Sequence, residues 1–240
     1  MSLVCHRILR EFLRQKTHVL KPIFYYNFTT FSKHYDSDSS MDYAPIRLAI
    51  FASGQGTNAR EIIRYFHETN HLVLGRPVKI SLIVSNKPQA GVFAIAAEAG
   101  IPVLLIEKEK FFRGSHYLEE LKGMGIEFIA LAGFLWKIPS GLIHAYPDRI
   151  LNIHPALLPA HAGKGMYGNA VHEAVLAAKD PETGISIHYV DELYDHGSIF
   201  FQTRFSVQPG ETVESLANKI HALEYKHYPE QIARWLECKI

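Results

Sequence analysis

The chain has 240 residues, 48% of them hydrophobic and 20% charged, with a formal net charge of +1. That length and make-up suit one large domain with a well-buried core, and the near-neutral balance argues against a broad basic surface for nucleic acid. No run of about 18 apolar residues occurs, so nothing reads as a membrane span. The two cysteines, Cys5 and Cys238, lie at opposite ends. They have neither zinc-site spacing nor a disulfide framework, which fits a reducing, cytoplasmic setting.

Residues 1–44 differ from the rest of the chain. Arg7, Arg10, Arg14, Lys16 and Lys21 have only Glu11 against them over the first half, and aromatic and Ser/Asp-rich stretches follow, through Ser37-Asp38-Ser39-Ser40. An Arg-rich, acid-poor start reads as an organelle transit peptide or, more simply, as an over-extended start with Met41 as the initiator. We adopt the simpler reading: 1–44 is a disordered extension or non-native start, and 45–240 is a single domain.

From Ile46 onward, apolar runs alternate with helical patterns. Strands are expected at Ile46–Ala52, Val78–Val84, Pro102–Ile106 and Glu127–Ala132. Helices are expected at Thr57–Phe66, Gly91–Ala99 and around Tyr117–Met124. This repetition predicts an α/β, Rossmann-like, mostly parallel sheet with helices on both faces. A further buried strand, Arg149-Ile150-Leu151, runs into Asn152-Ile153-His154-Pro155. Gly168–Ala178 reads as a helix, Gly184–Val190 and Ser198–Val207 as an antiparallel pair, and Thr212–Leu236 as a long closing helix capped by Thr212.

Two segments carry chemistry. Asn152 and His154, at i and i+2 of an extended segment, point to the same side at a strand end, where open α/β sheets place their sites. An amide donor beside an imidazole suits acyl or formyl transfer, in which a carbonyl oxygen gains charge. Alone, the same residues also describe a strand leaving its sheet, with Pro155 ending the ladder. Ala52-Ser53-Gly54-Gln55-Gly56-Thr57-Asn58 joins the first strand to the first helix; its glycines and free N–H groups suit an anion, and Thr57 could cap the helix. The spacing matches neither the dinucleotide nor the nucleoside-triphosphate pattern, so a lone phosphate fits better. The histidines lack ligand spacing, so no metal is expected.

Five segments in order complete the pattern: Ser53–Asn58, Ser85-Asn86-Lys87, Leu131-Ala132-Gly133-Phe134, Asn152–Pro159 and Asp191–Asp195. Over about Ile46 to Trp235 the chain resembles the glycinamide ribonucleotide formyltransferases, which use 10-formyltetrahydrofolate in purine biosynthesis. The resemblance implies that Asn152, His154 and Asp195 are catalytic, with Asp195 raising the pKa of His154 to keep it protonated. It implies that Gly56, Thr57 and Asn58 hold the phosphate, and that His221 and Glu224 meet the substrate, Glu224 accepting the ribose hydroxyls. Leu135, Trp136, Lys137, Ile138 and Asn152 would line the folate pocket, with Asp191, Glu192, Leu193 and Tyr194 as its other wall and His188 in support. Trp136 and Lys137 depart from the more usual basic-aliphatic pair, and Arg113 stands in for an arginine expected near Ser115. The glycine-rich loop 161–168 would act as a lid.

The expected partners are small molecules, the ribonucleotide and the reduced folate, with no nucleic acid and no membrane, in a monomer or homodimer. Three rivals remain open. Methionyl-tRNA formyltransferase carries a further C-terminal domain for which there is no room. Formyltetrahydrofolate deformylase has a preceding regulatory domain and no use for a phosphate loop. A non-enzymatic Rossmann-like ligand binder would not require the intact Asn-His-Asp trio.

Overall fold

The computed structural model describes residues 43–113 and 115–240; the expectations for residues 1–42 lie outside them. Its strands are β1 (Ile46–Phe51), β2 (Leu72–Val73), β3 (Arg76–Ser85), β4 (Val103–Leu105), β5 (Phe128–Leu131), β6 (Ile150–His154), β7 (Glu182–Tyr189) and β8 (Ile199–Ser206). Its helices are α1 (Thr57–Ile63), α2 (Val92–Glu98), α3 (Lys108–Arg113), α4 (His116–Gly123), α5 (Ser140–Ala145), α6 (Asn169–Ala178) and α7 (Val213–Lys239). A π-helical turn, Arg64–Glu68, prolongs α1. The short elements β2, α3 and α5 were not separable in the sequence, because a two- to six-residue stretch shows too little periodicity.

Strands run in the order β2-β3-β1-β5-β6-β7-β8, with β4 also on β3. The pairs β1–β3, β1–β5, β3–β4 and β5–β6 are parallel, whereas β6–β7 and β7–β8 are antiparallel. Chain order reverses between β1 and β5. Ligands of such sheets bind in the crevice outside the strand ends at this kind of reversal.

The near-continuous apolar runs are explained by burial on both faces. Ile46, Leu48 and Ile50 of β1 join one core with Ala59 and Ile62 of α1, Val92 of α2, and Ile220, Ile232 and Trp235 of α7. Ala49 and Phe51 join the other, with Phe111, Tyr117, Leu121 and Leu142 of α3, α4 and α5. In β3 the alternation slips. Leu48 pairs with Ile80 but Ala49 with Leu82, leaving Ser81 as an extra residue. Val78, Ile80 and Ile83 therefore share one core while Leu82 and Val84 share the other. Between the stretches of β3 covered by β2 and β4, the His67 ring closes the open edge: Ile80 N–H donates to His67 Nε2 at 3.3 Å. Burial, aided by Lys79, holds that imidazole below the ordinary histidine range, which keeps its lone pair available.

The long α7 is well started and deeply packed. Thr212 is its N-cap, accepting from Ser215 N–H, and Ser215 returns the bond in a capping box. Pro229 lies inside it without ending it; a lost backbone bond of about 3 kcal/mol is outweighed by burial of Tyr228, Ile232, Trp235 and Leu236. The buried Tyr228 hydroxyl is shared between the carbonyls of Leu131 (2.9 Å) and Leu151 (3.1 Å), at the end of β5 and in β6. Tyr228→Phe leaves both carbonyls without this donor. It should cost about 1 kcal/mol, read as a fall of a few degrees in Tm by calorimetry; an unchanged Tm would show the hydroxyl to be energetically idle.

Candidate active site

Antiparallel pairing of β6 with β7 sets Asn152 directly opposite His188 and His154 opposite Ser186. Their neighbours Leu151, Ile153, Ile185 and Ile187 point into the core on the opposite face. Four polar side chains are thus displayed together at the end of the parallel strands. Asp195 reaches them from the turn after β7, with φ at +52°, a left-handed value that aspartate tolerates better than most residues. Two residues on, a Cβ at Gly197 would overlap the Tyr189 carbonyl oxygen, so this turn requires glycine.

The structure brings the expected trio together. Asp195 Oδ2 lies 3.6 Å from His154 Nδ1, and Asp195 Oδ1 lies 3.5 Å from Asn152 Nδ2 and 3.7 Å from His188 Nε2. The Gly163 N–H donates to Asp195 Oδ2 at 3.0 Å. Hydrogen positions are dictated by the acceptors. His154 Nε2 lies 2.9 Å from the His161 carbonyl, which can only accept, so Nε2 carries hydrogen and Nδ1 is left to titrate toward Asp195. His188 Nδ1 likewise donates to the Tyr189 carbonyl at 2.7 Å, leaving Nε2 to accept from Asn152 Nδ2 at 2.9 Å. Asn152 thus spends one amide hydrogen on His188. The other makes only a long contact with Asp195 and remains available to an incoming oxygen.

One expectation is corrected here. Asp195 does favour the charged form of His154, but burial opposes it more strongly and holds the imidazole below the ordinary histidine range. At neutral pH the resting ring is neutral. For Asp195 the balance falls the other way: burial pushes its pKa up, yet the nearby His188 and His154 rings and the Gly163 N–H together hold it below the usual carboxylate range. The resting arrangement is a carboxylate facing a neutral imidazole.

The first half of the loop between β6 and α6 is tied down. Buried Ser186 donates to the Ala156 carbonyl (2.6 Å) and accepts from Leu158 N–H (2.9 Å) and Gln202 Nε2 (2.7 Å). His161, with φ at +53°, pairs with Asp180 at 2.5 Å. Ser186, Gln202 and Asp180 had no assigned role in the sequence, and His161 had one only as the start of the expected lid; the available signal was Ser186 and His188 at i and i+2 of an otherwise apolar strand.

At the reversal point, Gly56 is the N-cap of α1 with φ at +79° and no side-chain cap. Thr57 is the first helical residue and does not cap, contrary to expectation, so the N–H groups at this helix start have no side-chain cap. A Cβ at Gly56 would come within 2.7 Å of Val92, so close packing and backbone angle both demand glycine. Ser53 joins the loops: it donates to Asn86 Oδ1 (2.6 Å) and accepts from Leu135 N–H (2.9 Å). Asn58 donates through Nδ2 to Glu224 Oε2 at 2.9 Å, uniting two expected substrate residues. His221 lies exposed one turn earlier on α7, its ring stacked on Tyr225.

Of the expected folate residues, Lys137 and Ile138 line a cleft of about 530 Å³ with Phe111, Phe112, Arg113 and Tyr117; clefts of this size accept small organic ligands. Leu135 is fixed by Ser53, whereas Trp136 turns into an aromatic cluster with Phe111, Phe112 and Phe134. Leu193 and Tyr194 are exposed, and Asp191 braces their loop by accepting from Leu193 N–H (2.8 Å) and His196 Nδ1 (2.7 Å). Among the described residues no helix is long and apolar enough to cross a membrane, and no group of three His, Cys, Asp or Glu is arranged to hold a metal ion.

An amide, an imidazole and a carboxylate thus meet at one strand end, and comparison with known proteins places the chain in a family. The formyl transferase family model matches residues 46–232, and the chain belongs to that family. It is 41% identical over 201 residues to the chloroplastic phosphoribosylglycinamide formyltransferase of Arabidopsis thaliana, covering 81% of this chain and 66% of that one. With the phosphoribosylglycinamide formyltransferase of Bacillus subtilis (strain 168) the identity is 36%, covering 79% and 94%. The crystal structure of phosphoribosylglycinamide formyltransferase from Bacillus halodurans superimposes with a TM-score of 0.71 at 35% identity, covering 81% of this chain and 97% of that one. The chain therefore spans about two thirds of the plant relative and nearly all of these two bacterial ones.

Buried Glu224 has its pKa pushed up to about 7 by desolvation, with the Asn58 bond pulling weakly the other way. A carboxyl with a raised pKa binds its proton more tightly when folded, so stability is lost as pH rises from the unfolded value near 4.3 through 7. Above pH 7 the fold must hold a buried charge that unfolding releases to water. Glu224→Gln removes that cost. Its stability relative to wild type should improve by about 2–3 kcal/mol between pH 5 and pH 8 in denaturant titrations. A pH-independent difference would place Glu224 in contact with water.

Proposed function

We propose that this chain is a phosphoribosylglycinamide formyltransferase, moving the formyl group of 10-formyltetrahydrofolate to the amine of glycinamide ribonucleotide. The observation that carries the reading is the convergence of Asn152, His154 and Asp195 at one strand end, beside a glycine loop whose helix N–H groups lack a side-chain cap. The phosphate is assigned to Gly56, Thr57 and Asn58. His221 and Glu224 are assigned to the sugar-bearing part. Leu135, Trp136, Lys137 and Ile138, with Asp191–Tyr194 opposite, are assigned to the folate.

The chemistry moves one proton. As the amine nitrogen bonds to the formyl carbon, the carbonyl electron pair shifts to oxygen, and the free Asn152 amide hydrogen stabilises it. Donors so placed typically contribute about 3 kcal/mol to lowering the barrier. Neutral His154 accepts the amine proton at Nδ1, becoming an imidazolium beside the Asp195 carboxylate. It then delivers that proton to the departing folate nitrogen as the carbon–nitrogen bond breaks. Burial, which disfavours the imidazolium, makes the ring a ready donor in this second half; Asp195 keeps the intermediate charge accessible.

The test is an absorbance assay of folate product formation from a 10-formylfolate donor, with and without glycinamide ribonucleotide. Turnover only with the ribonucleotide supports the transferase. Turnover without it indicates a hydrolase, and none in either case a binder or another acceptor. His154→Ala and Asp195→Asn should each lower kcat by about 10²-fold or more with the fold retained by circular dichroism. Wild-type rates in either variant would remove that residue from the mechanism. Thr57→Ala should raise KM for the ribonucleotide severalfold with little change in kcat; an unchanged KM would move the phosphate elsewhere.

A further inference from the structure

His172 on α6 is 2% exposed, yet its Nδ1 has no hydrogen-bond partner among the described residues. Such orphans are uncommon in folded proteins, because each gives up its bond to water without a replacement. A second one lies on α1, which like α6 packs on α7. Asn58 Oδ1 is also buried without a partner, while its Nδ2 is bound to Glu224, itself 7% exposed. The two orphans are linked through α7. Glu224 lies one turn beyond His221, and the His221 imidazole is near enough to disfavour charge on His172. Helices α1 and α6 both pack on α7, so an orphaned amide oxygen, an orphaned imidazole nitrogen and a buried carboxyl sit on elements in mutual contact.

We infer that His172 is a specificity-determining residue that hydrogen-bonds a sugar hydroxyl of the acceptor substrate through Nδ1. The inference rests on the ribonucleotide reading of the site. The chemistry of the three groups selects the ligand. An amide oxygen and a carboxyl repel phosphate, so the Asn58 side chain and Glu224 do not suit the anion, which is left to the backbone N–H groups of Gly56, Thr57 and Asn58. Hydroxyls, which donate and accept at once, satisfy an amide oxygen, a carboxyl in either protonation state, and an imidazole nitrogen in either tautomer. Vicinal sugar hydroxyls offer two such groups at the spacing of neighbouring carbons. Nothing in a purely packed role for His172 calls for a polar ring, since phenylalanine would fill the same space without an unsatisfied nitrogen.

The test compares His172→Phe, His172→Asn and wild type with glycinamide ribonucleotide and with its 2′- and 3′-deoxyribose counterparts. His172→Phe should raise KM for the ribonucleotide about fivefold, with kcat and the KM for folate donor within about twofold. Its Tm should equal or exceed that of wild type, because an orphaned nitrogen is gone. Its discrimination against one deoxy counterpart should shrink by the same factor. His172→Asn, which keeps a polar group near the Nδ1 position, should restore the KM. An unchanged KM in folded His172→Phe, or an equal rise for all three acceptors, would overturn the inference. Should the Phe variant not fold, His172→Gln decides: its amide sits at the Nε2 side, so a KM like that of His172→Asn would also overturn it. If wild type itself shows no dependence on the ribonucleotide, the proposed function fails and this inference with it.

Discussion

Pairing between β6 and β7 holds the whole site in register. Because side chains alternate along a strand, a slip of one residue would send Asn152 and His154 into the apolar core and bring Ile153 out. The register is held by both faces at once: Leu151, Ile153, Ile185 and Ile187 are buried on one side, and the Asn152–His188 bond closes the other. Gly197 then lets the chain turn tightly against Tyr189, which carries Asp195 back over the pair. Position of the carboxylate, tautomer of His188 and orientation of Asn152 all depend on that one ladder.

Burial and charge oppose each other within this arrangement. The same walls that exclude water from His154 disfavour its charged form, and Asp195 only partly offsets them. A fully stabilised imidazolium would hold its proton, while an isolated neutral ring would be slow to accept one. The site lies between these limits. Backbone groups do much of the positioning: the carbonyls of His161 and Tyr189 choose which nitrogen of each ring bears hydrogen. Electrostatics of the side chains are thus set by chain path, which in turn depends on Ser186 and Gln202 bracing the loop.

Much of this was legible in the residues. Continuous apolar runs such as Ile46–Phe51 announced strands covered on both faces, and Asn152 and His154 at i and i+2 announced a shared direction. The meeting of Asn58 with Glu224, 166 positions apart, was available only through family resemblance, since no local pattern encodes it. Thr57 misled because threonine is a good cap in general, whereas here the left-handed Gly56 takes that place. The protonation of His154 misled for a different reason: the family resemblance supplies a partner carboxylate, but the depth of burial that outweighs it is a property of the folded chain. Likewise the extra Ser81 in β3 left no trace, because apolar residues on both sides of it hide a change of parity.

His67 at the open edge of β3 has a consequence for how the molecule meets its neighbours. Exposed strand edges invite foreign strands, and proteins commonly guard them with charge, proline or a covering loop. Here a neutral ring occupies the seat that a carbonyl of an added strand would take on Ile80. An intruding chain would have to evict an aromatic side chain held by its own helix before gaining a single ladder bond. The stretch of β3 bare of strand partners is therefore plugged, and the molecule's apolar strands remain private to its own sheet at that point.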